Sequence, residues 1–304
     1  MGTETPHPAD SAGHLRGIAI TALGVVLLSF DAVLVRLAGS DGLSVSFWRG
    51  VFIALSLGGW VLLFGRHRLL TTYRAGWPAL LATVLFGVTG LLFVLSVMHT
   101  RAANTVVIVS AAPLFAALFT WLVLREPVRL RTWLAIGVAF LGVILVFYGS
   151  LGAGGLWGDI AALATAAVLG ANLTLLRRYP DLARVPLVAV SGVVMALLAL
   201  PGAEPWSLSA QGYLAVAVMG LAQMPAAMVL MAVGTRYLPA PEVGLFLLVE
   251  AVLGPLWVWL AVGEEPPEAT FLGGGLILAT LAVHSWLALG ETRRVRSRSV
   301  RPVE

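Results

Sequence analysis

Ten times along its length this chain runs for about one bilayer-crossing helix with scarcely a charge. The stretches are 17–37, 44–64, 77–98, 104–124, 130–148, 156–176, 186–201, 211–232, 241–262 and 270–289. A hydrocarbon core about 30 Å thick is crossed by about 20 helical residues. In lipid each backbone N–H and C=O must be satisfied internally, which a helix achieves and an open sheet does not. The expected fold is therefore an all-α membrane protein with ten transmembrane helices. The seventh stretch is the shortest, closed in by Pro186 and Pro201. The first, Gly17–Leu37, is too long for a signal-peptide core and has no A-x-A-like site after it, so it is expected to remain as a helix.

Charge gives the orientation. All 19 basic residues are arginine, which reads as coding bias. With the N-terminus inside, 16 fall on the cytoplasmic side: Arg16; Arg66, Arg68, Arg74; Arg125, Arg129, Arg131; Arg177, Arg178, Arg184; Arg236; and Arg293, Arg294, Arg296, Arg298, Arg301. Only Arg36, Arg49 and Arg101 fall opposite. The positive-inside rule then gives N-in/C-in and an even number of spans. The ten tryptophans form two belts on the same spans. Trp48, Trp157, Trp206, Trp257 and Trp259 lie toward the outer interface, and Trp60, Trp77, Trp121, Trp133 and Trp286 toward the inner one, so each is first read as an interfacial anchor. A pI of about 10.1 would suggest nucleic acid in a soluble protein, but here the arginines belong to short loops and a tail, and no nucleic-acid partner is expected. With 11% charged residues the chain cannot cover a water-soluble globule, and the absence of cysteine rules out disulfides and thiolate metal sites. Residues 290–304 read as a disordered basic tail able to touch anionic lipid.

The chain repeats itself. Asp31-Ala-Val-Leu-Val-Arg36 closes the first stretch and Asn172-Leu-Thr-Leu-Leu-Arg177 the sixth, 141 residues on. Thr100-Arg101 corresponds to Thr235-Arg236, and Arg125-Glu126-Pro127 to Gly263-Glu264 ahead of Pro266, with Trp133 and Gly137 answered by Phe271 and Gly275. The matches keep one order at nearly one offset. Loop charge shows the copies to be inverted. The 2–3 and 4–5 loops hold six arginines, while their counterparts hold none and carry Glu204, Glu264, Glu265 and Glu268. An odd number of spans per copy demands this reversal. The organisation expected is a cytoplasmic segment 1–16, a five-helix repeat 17–148, an inverted five-helix repeat 156–289, and the tail.

Phe47-Trp48-Arg49, Ala112-Pro113 through Arg125-Glu126-Pro127, Gly137 to Gly142, Gly158-Asp159 and Glu264 to Gly275, in this order, resemble the drug/metabolite transporter superfamily, EamA type, over residues 17–289. Glu264-Glu265-Pro266-Pro267 departs by doubling the second motif. The resemblance implies a multi-pass exporter of the bacterial inner membrane that works by alternating access around a cavity lined by helices three, four, eight and nine. It also implies small-metabolite substrates, with amino acids, aromatic ones among them, the expected branch.

Ionisable groups at membrane depth cost a few kcal/mol, so each needs a reason. Glu250 lies near the middle of the ninth stretch; it either holds a substrate ammonium or a proton, or packs against Gln223 or Ser110. Asp31 either forms a structural ion pair with Arg49 or Arg101, or such a pair breaks as an outer gate. Asn172, its repeat mate, is a second gate or a capping amide. Pro113, Pro225 and Pro255 free carbonyls near Val109, Leu221 and Ala251, which are tolerated where protein or a wet cavity lies alongside. Gln223 is a substrate contact or interhelical glue. His99 and His284 read as satisfied interface histidines, and Ser46, Gly50, Ala54 and Gly58 as a small-residue packing stripe, within the fold or in a dimer. Phe86, Phe93, Tyr148 and Trp257 are the aromatics that could stack on an aromatic substrate.

The substrate-binding set is thus Glu250, Gln223, Pro113, Pro225, Pro255 and Trp257, and the gating set Asp31, Arg49, Arg101 and Asn172. No catalytic group, metal site or cofactor is expected. No P-loop, H-E-x-x-H or G-x-S-x-G occurs, which leaves downhill or ion-coupled transport, with protons the candidate partner. A monomer or weak homodimer is expected. The rival readings are a non-transporting scaffold or sensor, and a carrier for drugs or nucleotide sugars. The last would want several cationic side chains at the midplane.

Overall fold

The computed structural model describes residues 8–39, 41–127, 130–150, 155–234, 237 and 240–299. Every regular element among them is helical. Eight helices are long and apolar enough to cross a membrane: Leu15–Ala38, Gly42–Phe64, Trp77–His99, Ala102–Leu124, Leu130–Gly149, Leu156–Arg178, Arg184–Gly202 and Ala210–Met231. Two shorter apolar segments, Leu248–Val262 and Glu268–His284, follow within longer helices, Ala240–Val262 and Glu268–Ser299. These ten are called the first to tenth spans below. Phe64, Trp77, Leu124, Leu130, Arg178 and Arg184 mark the arginine-rich end of the bundle. Ala38, Gly42, His99, Ala102, Val262 and Glu268 mark the arginine-poor end.

Local chemistry sets the helix ends. Asp41 accepts from the N–H groups of Leu43 (3.0 Å) and Ser44 (3.2 Å), capping the second span. Pro78 sits in the first turn of the third span, where a missing N–H is harmless. Between the second and third spans lies a short helix, Arg66–Arg74, with Arg66, Arg68 and Arg74 exposed. Its buried Thr72 accepts from the Ala183 amide, and the Tyr73 hydroxyl pairs with Thr83 Oγ1 at 2.6 Å. Two expectations for the termini change. The first helix already begins at Pro8, and the tenth continues to Ser299 rather than giving way to a disordered tail at 290. No proline interrupts the run before Pro302, and arginine is a good helix former.

The spans pair across the two halves: second with seventh, fifth with tenth, third with sixth and first with eighth. The first two crossings are reciprocal backbone approaches. A Cβ at Gly50 would lie 2.5 Å from the Gly192 carbonyl oxygen, and one at Gly192 would lie 2.6 Å from that of Gly50. Gly142 and Gly273 meet in the same mutual way. The small-residue stripe therefore packs within the fold at Gly50 and Ala54, while Gly58 has nothing nearby. The largest apolar core gathers Val33, Val45, Val94, Val106, Met219 and Val258, from the first, second, third, fourth, eighth and ninth spans.

Three spans are irregular, the first, fourth and eighth, where proline interruptions were expected in the fourth, eighth and ninth. The fourth breaks at Ser110–Ala111, between helices Ala102–Val109 and Ala112–Leu124, because Pro113 cannot donate to Val109. The eighth widens into a π-helical stretch, Val218–Gln223, just ahead of Pro225. The ninth keeps Pro255 inside a continuous helix. The first also breaks, at Phe30, between Pro8–Ser29 and Asp31–Ala38, with neither proline nor glycine there.

Candidate functional site

The break in the first span is where the singled-out polar residues converge. Interrupting a helix leaves carbonyls without their i+4 donors. Gln223, 6% exposed, supplies a replacement, its Nε2 donating to the carbonyls of Leu27 (3.0 Å) and Leu28 (3.4 Å). Trp257 on the ninth span stacks on Phe30, with centroids 4.8 Å apart, and donates from Nε1 to Ser29 Oγ at 2.9 Å. Trp257 is thus an internal prop of the break and not the interfacial anchor its position suggested. Gly254 lets this surface in: a Cβ there would touch Val106 at 3.2 Å.

Directly after the break, Asp31 accepts from Arg49 at 2.8 Å. Arg49 lies seven residues inside the second span, about 10 Å from its start, and is 2% exposed, with Asp31 at 8%. Its guanidinium also lies 5.9 Å from the Phe93 ring centroid. Of the two partners considered for Asp31, the structure selects Arg49. Arg101 is exposed and donates instead to the Glu265 carbonyl at 2.9 Å.

Glu250 shares its helix face with Gly254, Trp257 and Val258, and that face turns away from the exposed Val249, Val252 and Leu260. It is half-buried and within electrostatic reach of Asp31. Neither packing partner proposed for it holds it, since Gln223 serves the first span and Ser110 Oγ donates to Val107 O at 2.6 Å. Several buried atoms at this centre have no hydrogen-bond partner among the described residues, namely Asp31 Oδ1, Arg49 Nε and Nη1, and Gln223 Oε1, and elsewhere both amide atoms of Asn172 on the sixth span also have none. Each such atom costs about 1–3 kcal/mol in a folded interior. The first three residues meet around one break and offer acceptors and donors together. That arrangement can bind a group carrying both charges.

The other singled-out residues are more dispersed. Asn172 is fully buried on the sixth span, which packs against the third and fourth. Pro113 is exposed between buried Ala112 and Leu114, and Pro225 and Pro255 are half-buried. Tyr148 is 73% exposed and lies outside any site, and Phe86 packs in an apolar cluster with Leu187. His99 bonds the Leu95 carbonyl at 2.8 Å within its own helix. Thr235 and Arg236 lie outside the described residues.

Two groups of residues escaped the sequence reading. One is a buried polar cluster at the arginine-poor end. Asp159, 0% exposed, accepts from Thr100 Oγ1 (2.6 Å) and Asn104 Nδ2 (3.2 Å), and Thr270 Oγ1 donates to Asn104 Oδ1. Its signal was available: an aspartate four residues into an apolar span demands a partner. The other comprises two ion pairs, Arg36–Glu264 at 2.8 Å and Arg177–Glu126 at 2.6 Å. All four residues marked the repeat, but correspondence between copies does not reveal which residues touch.

Comparison with known proteins accords with this architecture. A model of the EamA-like transporter family matches twice, over residues 15–148 and 156–286. The uncharacterized transporter YdfC of Bacillus subtilis (strain 168) is 25% identical over 181 residues, 55% of this chain and 57% of that protein, so the match spans just over half of the relative. A protein known from a crystal structure superimposes with a TM-score of 0.61 and 20% identity over 94% of this chain and 99% of its own, which shows a shared fold.

Proposed function

This chain belongs to the EamA-like transporter family, and we propose on that premise that it is a secondary transporter exporting small metabolites, amino acids foremost, across a bacterial inner membrane. Family members are membrane transporters and not enzymes, so the remaining questions are topology, substrate and coupling. The reading has ten spans in two inverted repeats, both termini inside. The reciprocal crossings of the second and seventh and of the fifth and tenth spans support it, since a two-fold axis between inverted copies produces such mutual contacts.

One observation carries the substrate reading. Asp31, Arg49 and Gln223 meet at the turn that interrupts the first span, keep buried donors and acceptors without partners among the described residues, and have the Glu250 carboxylate nearby. A zwitterion answers that arrangement. Its carboxylate takes the free Arg49 donors, and its ammonium goes to Glu250 and the free Asp31 and Gln223 oxygens. Phe30, Phe93 and Trp257 supply aromatic surface beside it. Arg49 is one cation already shared with Asp31, too little for a dianionic nucleotide sugar. Glu250 is also the proton carrier for coupling to the pH gradient.

The test is counterflow of radiolabelled amino acids in proteoliposomes, with and without a pH gradient. Glu250→Gln is expected to alter flux or its pH profile while the purified protein keeps its elution profile and melting behaviour. Unaltered flux and pH profile would return Glu250 to a structural role. Absence of counterflow for every amino acid would favour the scaffold reading.

A further inference from the structure

Each half of the chain makes the same joint with the other. Arg36 closes the first span of one repeat and Arg177 the first span of its copy; Glu264 and Glu126 each follow the fourth span of a repeat. The guanidinium of one half meets the carboxylate of the other, Arg36 Nη2 to Glu264 Oε2 at 2.8 Å and Arg177 Nη2 to Glu126 Oε2 at 2.6 Å. Even the turn that presents the carboxylate is repeated. Gly263 precedes Glu264 with φ 71°, and Arg125 precedes Glu126 with φ 55°, both left-handed. The first joint lies at the arginine-poor end of the bundle, the second at the arginine-rich end.

The two differ in their surroundings. The Arg36 and Glu264 side chains are 20% and 16% exposed. The second Glu264 oxygen accepts from the Ala102 N–H at 2.7 Å, opening the half-helix Ala102–Val109 that leads to the fourth-span break. Arg36 also donates to the Thr100 carbonyl at 2.6 Å, and the Thr100 hydroxyl continues into the Asp159 cluster. Arg177 and Glu126 are 63% and 47% exposed and make one contact. A pair open to water is weakly held, whereas one partly shielded and held by further hydrogen bonds, Glu264 to the Ala102 amide and Arg36 to the Thr100 carbonyl, resists separation.

We propose that these ion pairs are the two gates of the transport cycle: Arg36–Glu264 seals the route to the outside, Arg177–Glu126 seals the route to the cytoplasm, and each half-cycle breaks one and keeps the other. The structure, with both formed, is the doubly closed intermediate. The inner pair, being exposed and singly bonded, opens first, which sets the resting protein to load from the cytoplasm. This rests on the transporter reading and its arginine-derived orientation.

Because the chain contains no cysteine, a single Ser110→Cys at the fourth-span break reports access from either side to a membrane-impermeant thiol reagent, in right-side-out and inverted vesicles. Glu264→Gln is expected to raise outside labelling by about tenfold or more and lower inside labelling, while Glu126→Gln raises inside labelling only a few-fold. The swap Arg36→Glu/Glu264→Arg restores the original pattern. Arg36→Cys/Glu264→Cys, cross-linked in the Ser110 background, blocks outside labelling and leaves inside labelling. The Glu126 variant alters an exposed pair, so it reports even if the Glu264 variant does not fold. Unchanged labelling in the Glu126 variant, or a rise on both sides in either variant, overturns the proposal. Because labelling needs no substrate, a gate failure reads separately from a failure of amino-acid counterflow on the unmodified protein.

Discussion

Arg49 and Asp31 permit a quantitative test of how this bundle tolerates charge. The guanidinium is 2% exposed and meets the carboxylate at 2.8 Å. With charge centres about 4 Å apart and an effective dielectric of about 20, their attraction is about 4 kcal/mol. Removing one partner strands the other charge in a buried position, at a cost of about 3–5 kcal/mol. Removing both removes the reason for that cost. The double-mutant cycle Asp31→Asn, Arg49→Met and Asp31→Asn/Arg49→Met is therefore expected to be strongly non-additive, with a coupling of at least about 2 kcal/mol. Arg49→Met should be the costlier single change, because it also loses the contact 5.9 Å over Phe93, worth about 0.5–2 kcal/mol. Phe93→Leu isolates that part. The measurement is reversible unfolding in mixed micelles followed by tryptophan fluorescence. Additive single effects, each below about 1 kcal/mol, would show that the bundle does not shield the pair from solvent.

Two other outcomes follow from backbone geometry. Arg125 holds a left-handed conformation, φ 55°, that glycine adopts without strain; Arg125→Gly is expected to raise stability by about 0.5–1 kcal/mol in the same unfolding assay, and a loss of stability would contradict it. Gly50→Ala places a methyl 2.5 Å from the Gly192 carbonyl oxygen and is expected to destabilise by about 1–3 kcal/mol, whereas Gly58→Ala, with nothing within 4 Å, is neutral or gains up to about 1 kcal/mol from helix propensity. Equal effects of the two alanines would argue against the reciprocal crossing.

The parts of the fold legible in the sequence were those governed by solvent and by copying. Lipid imposes helix length on each apolar run, and duplication leaves Asp31…Arg36 and Asn172…Arg177 in matching places. The Asp31–Arg49 pair was legible because two buried opposite charges at similar depth have few other partners. The break at Phe30 was not, since no proline or glycine marks it. Its carbonyls accept from Gln223 and its serine hydroxyl from Trp257, contacts nearly two hundred residues or more away in sequence. The helix through Ser299 runs against the expectation of disorder from 290, because charge density alone does not end a helix that meets no proline before Pro302. Glu264 was seen as a repeat marker only. That it joins Arg36 to the Ala102 amide depends on how three chain segments assemble at one end of the bundle.

The mutual glycine contacts constrain how this protein can fail. Where two backbones touch with no side chain between them, as at Gly50 against Gly192 and Gly142 against Gly273, the proposed rocking of the two halves would turn about these axles and keep them in register. A bulky residue there burdens all conformers alike. Lesions at the axles should thin the population of protein in the membrane while each surviving molecule keeps its normal turnover and directionality, in contrast to lesions at the two proposed gates, which are expected to bias the cycle.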